Sequence, residues 1–196
     1  MSNLPHKIGL FFGSFNPIHI GHSIIANYMI EYSDLEQIWF VVSPHNPLKE
    51  KNNLLDDFQR FEMVQMAIAD DFRFRATDIE FRLQQPSYTI DTLTYLHEKY
   101  PQHQFCLILG GDNLSSFHKW KNFQTILDYY PLYVYARPGF LQQDFKYSGD
   151  IRFFNAPQMD ISSSFIRSAI KDGKDVRHFL SPPVWNHLRE WHFYEK

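Results

Sequence analysis

Apolar runs of strand length recur along the chain, and between them lie longer segments whose apolar positions return every three to four residues. "KIGLFF" (7–12), "QIWFVV" (37–42) and "QFCLILGG" (104–111) are nearly unbroken, the pattern of strands buried on both faces. "FRFRATDIEF" (72–81) alternates, and "LYVYAR" (132–137) and "IRFFNA" (151–156) complete the predicted strands. Helical spacing predicts a helix over 20–33 with Ile24, Ile25, Tyr28 and Met29 on one face. A second helix, opened by Asp56 and Asp57, is expected to turn Phe58, Phe61, Val64 and Ile68 inward. A third runs to about Lys99, with Ser87 or Thr89 as its cap. Two more are predicted near 162–172 and 182–193, the latter beginning at Pro182-Pro183.

Strand and helix in repeated alternation predict an α/β fold: a Rossmann-like, doubly wound, mainly parallel sheet with helices on both faces. The 196 residues suit one domain, 1–196, with the C-terminal helices (about 162–196) packing on it. A 44% hydrophobic, 17% aromatic composition supplies a large core. In such sheets ligands lie beyond the carboxyl ends of the strands, so chemically interesting residues are expected just after them. The net charge of −3, with ten histidines counted neutral, gives no global basic field for a nucleic acid. It leaves room for a local anion pocket. The single cysteine, Cys106, lies inside "FCLIL" and reads as a core residue in a reducing compartment. "MSNLPHK" lacks a signal pattern and no apolar run approaches a membrane span. A soluble, cytoplasmic protein without a membrane partner is expected. Oligomeric state has no residue-level signal, and a homo-oligomer stays open.

"GSFNPIHIGH" (13–22) follows the first strand directly. Gly13 and Ser14 carry little side-chain bulk, so backbone amides there can approach a phosphate closely. His19 and His22, three residues apart at a helix start, face the same way and can donate to an anion. Alone, the pair reads sooner as helix-end or surface histidines. No nearby third ligand completes a zinc spacing, and the glycines match neither a dinucleotide fingerprint nor a lysine-bearing phosphate loop. Far downstream, "ISSSFIR" (161–167) sets serine hydroxyls before a helix and Arg167 within it, a second candidate anion site or an ordinary serine-capped helix. Asp112, after Gly110-Gly111, is a ribose acceptor or a turn former. Trp120 is a stacking ring or a core residue.

"GSFNPIHIGH" and "ISSSFIR" together resemble the two signatures of the nucleotidyltransferase superfamily. Within it the chain is similar to bacterial nicotinate mononucleotide adenylyltransferases over almost its whole length. "SPHNPLK", "PSYTIDTL" (86–93), "GGDNLSSFHKW" (110–120) and "ARPG" (136–139) fit in order between the signatures. Ser164 stands where that family usually has threonine, and the hydroxyl is kept. The resemblance implies attack by the phosphate of nicotinate mononucleotide on the α-phosphorus of ATP, giving the deamido-dinucleotide and pyrophosphate, with Mg²⁺ carried by ATP and no dedicated metal site. It implies His22, His19 and Arg167 as catalytic phosphate-gripping groups. Gly13, Ser14, Phe15, Gly110, Asp112, Ile161, Ser162 and Ser163 would join them around ATP. Ser14, Phe15, His45, Lys49, Tyr88, Thr89, Asn113, Trp120 and Arg137 would meet the mononucleotide. Three alternatives remain: nicotinamide mononucleotide or phosphopantetheine as acceptor, a nucleotide sensor without turnover, and a nucleic-acid binder, the last lacking a basic stripe.

Overall fold

The structure, a computed structural model, describes residues 6–44, 54–137 and 147–195. Six strands, β1 (His6–Gly13), β2 (Gln37–Val42), β3 (Phe74–Thr77), β4 (His103–Gly110), β5 (Leu132–Tyr135) and β6 (Ile151–Phe154), form one sheet in the order β3-β2-β1-β4-β5-β6. Every pairing is parallel. The helices are α1 (Ile20–Tyr32), α2 (Asp57–Ile68), α3 (Thr89–Lys99), α4 (Gly111–Leu114), α5 (Phe123–Tyr129), α6 (Ser163–Lys171) and α7 (Pro182–Glu190).

Side chains alternate across each strand, so the sheet separates two apolar layers. Phe11, Ile38, Phe40, Cys106, Ile108 and Tyr133 pack with α1, α2, α6 and α7 residues such as Met29, Val64, Ile166 and Val184. Ile8, Leu10, Trp39, Val41, Phe105 and Leu107 pack with Leu93, Leu96 and Ile126 from α3 and α5. The helices therefore cover both faces, as the alternation predicted. Cys106 is fully buried, and burial pushes its thiol up to about 12, which removes it as a nucleophile.

The chain builds β1, β2 and β3 outward to one side, then returns to place β4 against β1. That reversal is the switch point of the sheet. Here the ladder itself opens. Pairing of β1 with β4 ends at Phe11 and Ile108, whereas β1 stays paired to β2 through Gly13 and Val42, and β4 to β5 through Gly110 and Tyr135. The two central strands thus part over their last residues, and a crevice starts between them.

Four local expectations are corrected. The alternating stretch 72–81 is a short strand, β3, followed by a 3₁₀ turn over Ile79–Arg82. The pleat cannot continue because Ile79 and Glu80 both turn into the interior. On α2 the inward residues are Arg60, Met63, Val64 and Ile68, and Phe58 is 65% exposed. An arginine occupies the inward position of the first turn and rotates Phe58 outward, where its ring meets Phe81 edge-on. The N-cap of α3 is Tyr88, without a side-chain cap, so neither Ser87 nor Thr89 caps it. On α1, Ile25 and Met29 are buried, joined by Ala26, whereas Ile24 and Tyr28 are half-buried.

At the opposite, amino-terminal edge of the sheet, the Asp34 carboxylate accepts hydrogen bonds from Lys7, Tyr133 and Arg152, the last at 3.0 Å. Lys7 is on β1, Tyr133 on β5 and Arg152 on β6, so one carboxylate ties β1 to the β5–β6 side of the sheet. These donors hold the Asp34 carboxyl below its ordinary 3.8 against the opposing effect of its partial burial. A depressed carboxylate stabilises the fold above the unfolded-state value and loses that contribution as pH falls. The wild type is therefore expected to melt higher than Asp34→Asn at pH 7, with the gap closing as pH drops below about 4. Melting curves of both proteins from pH 7 to pH 3 measure this; a gap independent of pH would refute it.

Candidate active site

The crevice between β1 and β4 is walled on one side by the loop that follows Gly13. Phe15 has φ +44°, a left-handed conformation that costs a non-glycine residue about 1 kcal/mol or more. Its ring turns down into the core, 1% exposed, against Phe11 and Phe40. It passes directly beneath Gly13, where a Cβ would lie 2.8 Å from the ring. Glycine is required there by contact. Phe15 can consequently offer a ligand only its backbone. Across the crevice a Cβ at Gly110 would meet the exposed Asp112 carboxylate, which can turn away, and the Tyr135 hydroxyl at 3.1 Å.

His19 is the N-cap of α1, in extended conformation, and its N–H donates to His22 Nδ1 at 3.2 Å. An Nδ1 that accepts cannot carry the proton, so neutral His22 is protonated at Nε2. The two imidazoles stack with centroids 3.8 Å apart, and the Phe15 ring meets His22 edge-on at 5.0 Å. Burial, and next the charge of Arg137, hold the His19 imidazole down to about 4. His19 is thus neutral at physiological pH and acts, if at all, as a hydrogen-bonding group. That coupling also brings Arg137, from the end of β5, to the same mouth, with Nε 3.8 Å from the Asp112 carboxylate. Gly110, Asp112 and Asn113 form the neighbouring rim, where Asn113 Nδ2 reaches Asp112 at 3.5 Å.

The distant serine-rich segment closes the site. Arg167 Nη1 donates to the Asn16 carbonyl at 2.8 Å, and the Ser163 hydroxyl donates to the Pro17 carbonyl at 2.9 Å. Ile161 packs on the first turn of α1, its Cβ 3.9 Å from where a Gly21 Cβ would stand. Ser162 is the N-cap of α6 and accepts from the Phe165 N–H at 3.1 Å. The Ser163 proton is therefore committed to the first segment, whereas Ser162 uses its oxygen and keeps its O–H as a donor. Asn16 is the junction: its Oδ1 also accepts from the Tyr194 hydroxyl at 2.6 Å and the Leu55 N–H at 3.3 Å.

Tyr88, Thr89 and Trp120 gather on the other side of the sheet from α1. The uncapped start of α3 presents the Thr89 end of the helix, and Lys121 joins it to the Trp120 segment by lying 4.7 Å over the Tyr88 ring and pairing with Asp91 at 2.9 Å. Trp120 is half-buried against Phe117, at 5.0 Å between centroids, so one ring can serve both packing and stacking. His45 and Lys49 lie outside the described residues. Three contributors had no sequence signal: Asn16, Tyr194 and the fully buried Arg60. Glu80 is a fourth, an acid inside the interior whose carboxylate accepts from Thr92 at 2.7 Å and is pushed up by burial. A cleft of about 490 Å³ at the far end of α6, lined by Lys171, Lys174, Arg189 and Trp185, shares none of these groups.

The cytidylyltransferase-like family model matches residues 10–169, a span that begins within β1 and ends in α6. A protein of Flavobacterium johnsoniae named "probable nicotinate-nucleotide adenylyltransferase" is 51% identical over 192 residues, covering 97% of this chain and all of that protein. One of the same name from Bacteroides thetaiotaomicron is 45% identical over 185 residues, 94% of this chain and 92% of the relative. The solved nicotinic acid mononucleotide adenylyltransferase of Plasmodium falciparum, complexed with NaAD, superposes with a TM-score of 0.83 at 20% identity, covering 97% and 98% of the two chains; at that identity it speaks for the fold. With its two signatures joined across the switch point of a parallel sheet, the chain belongs to the cytidylyltransferase-like family and, within it, to the nicotinate-nucleotide adenylyltransferases.

Proposed function

We propose that the protein transfers the adenylyl group of ATP to nicotinate mononucleotide in NAD biosynthesis. A phosphate oxygen of the mononucleotide forms a bond to the α-phosphorus, the bond from that phosphorus to the bridging oxygen breaks, and pyrophosphate leaves as nicotinate adenine dinucleotide forms. The observation that carries this reading is the pair of bonds from Arg167 and Ser163 to the Asn16 and Pro17 carbonyls. They set a guanidinium and a helix start beside the histidine pair, where a single triphosphate can span both. The nucleophile is already an anion, so no strong base is needed, and the rate must come from placing two polyanions together and stabilising the leaving charge. In this reading His22 Nε2–H and neutral His19 donate to phosphate oxygens, Phe15 and Ser14 offer backbone amides between the substrates, and Ser162 and Arg167 hold the departing pyrophosphate.

Mg²⁺ supplies charge neutralisation along the triphosphate. The donors around the crevice are imidazoles, amides and guanidinium groups, which complement phosphate oxygens, and a hard cation that keeps waters and phosphate ligands fits best as part of the incoming ATP. On the acceptor side, the uncapped first turn of α3 offers N–H donors to the ring substituent. A carboxylate can accept from all of them, whereas an amide would turn its NH₂ toward donors. Asp112 suits a ribose, Trp120 the pyridine face, and Arg137 an anionic group of the mononucleotide. Among the described residues no helix is long and apolar enough to cross a membrane; we place the enzyme in the cytoplasm as one unit over 1–196.

With ATP, Mg²⁺ and nicotinate mononucleotide the purified protein is expected to release one pyrophosphate per dinucleotide formed, with nicotinamide mononucleotide at least about tenfold poorer in kcat/KM. Coupled pyrophosphate assay and chromatography of the dinucleotide test both. No turnover sinks the function; equal rates sink the acid preference.

A further inference from the structure

Arg60 is 0% exposed, and its guanidinium has five N–H donors and five acceptors. Nε donates to the Leu55 carbonyl at 3.0 Å, Nη1 to the Ser14 and Ser43 carbonyls at 2.5 and 2.9 Å, and Nη2 to the Pro44 carbonyl at 3.3 Å and Asp57 at 2.5 Å. Four of the five acceptors are backbone carbonyls. They come from the loop after β1, the end of β2 and the approach to α2. A buried cation is costly to desolvate, and burial indeed lowers the Arg60 pKa from its ordinary value. Four backbone carbonyls beside a single carboxylate at this one place call for an explanation.

The Ser14 carbonyl supplies it. In a trans peptide the C=O and the following N–H point in opposite directions. Arg60 draws the Ser14 oxygen toward α2, which turns the Phe15 N–H the other way, away from α2. Phe15 sits in the left-handed region, unfavourable for its side chain, and so needs an outside hold. Its N–H has no partner among the described residues. Ser43 reinforces the same unit, because its N–H donates to the Gly13 carbonyl at 2.9 Å while its own carbonyl is on Arg60.

We propose that Arg60 is a positioning residue: by gripping the Ser14 carbonyl from below it aims the Phe15 amide at the substrate phosphates. The inference rests on the phosphate-loop reading of the proposed function and names the side chain that sets that loop. Lysine cannot replace it, since three donors on one point cannot reach five acceptors in a planar fan.

The test is Arg60→Lys, read by binding rather than turnover, so that it stands apart from the identity of the acceptor. The Kd for ATP is expected to rise at least about tenfold, while that for adenosine, which lacks phosphates, stays within about twofold. In ¹⁵N-resolved spectra of the wild type, the Phe15 amide proton is expected to move downfield on addition of ATP, and to lose that response in Arg60→Lys. An unchanged ATP Kd in a folded variant, or equal losses for ATP and adenosine, would overturn the proposal; the second result is that of a merely structural residue. If Arg60→Lys does not fold, Asp57→Asn keeps the guanidinium and its carbonyl bonds but frees one side of the fork. It is expected to weaken ATP about two- to threefold with adenosine unaffected, and no selective loss there overturns the proposal equally.

Discussion

His22→Ala is expected to lower kcat by about 10²–10³-fold, the usual loss when one preorganised donor to a developing phosphate charge is removed. The imidazole is oriented from three sides: its Nδ1 takes the His19 N–H, His19 stacks on its face, and the Phe15 ring bounds its edge. With Nδ1 accepting, the proton of the neutral ring is on Nε2, the donor in the proposed reading. The same substitution removes the acceptor that completes the helix start, at a cost of about 1 kcal/mol, or about 2–4 °C in Tm for a chain of this size. His22→Asn separates the two effects. Its short amide can accept from the His19 N–H and restore the melting point, yet it cannot reach as far as Nε2. Turnover is expected to stay low. Steady-state kinetics and melting curves of both variants make the comparison, and recovery of rate with stability would mean that His22 is a cap and nothing more.

Arg167→Ala is expected to raise the KM for ATP and to lower kcat, together about 10²-fold in kcat/KM or more, because in the proposed reading the guanidinium meets charge that increases as pyrophosphate leaves. Its fork is held before binding by the Asn16 carbonyl and by Ser164 Oγ at 3.2 Å. Loss of the bond to Asn16 is also expected to cost about 1.5 kcal/mol, seen as a fall of about 3–6 °C in Tm. Arg167→Lys keeps a charge near the phosphates without the fork, so ATP binding should recover in part and kcat should not. The KM for nicotinate mononucleotide is the internal control: if it moved as much as that for ATP, Arg167 would be holding the fold of the site rather than the triphosphate.

The parallel α/β architecture was legible because strands buried on both faces leave unbroken apolar runs, and "KIGLFF", "QIWFVV" and "QFCLILGG" became β1, β2 and β4 within a residue or two. Gly13 has a contact reason of its own to be small, since a Cβ there would lie 2.8 Å from the buried Phe15 ring. What failed was local and sided. Phe58 was expected inside and is outside, because α2 presents Arg60 to the interior, and helical periodicity in apolar residues is blind to an arginine whose partners are backbone carbonyls. Which of Ser162 and Ser163 bonds where within the protein was not legible either. The structure gives them different work, one as a cap and the other as a dock on Pro17, and a run of three serines carries no sign of which hydroxyl points where.

Composition and spacing along the chain determined most of which segments become strands and which become helices, and marked the short stretches that are candidates for an anion, since those properties depend on neighbours a few residues away. The tertiary structure decided where the ladder parts between β1 and β4, that Asn16 joins Leu55, Arg167 and Tyr194, and that one guanidinium fastens the loops beneath Ser14. These are contacts between residues far apart in sequence. Their geometry follows from how the sheet twists and its helices pack, and no local pattern encodes it.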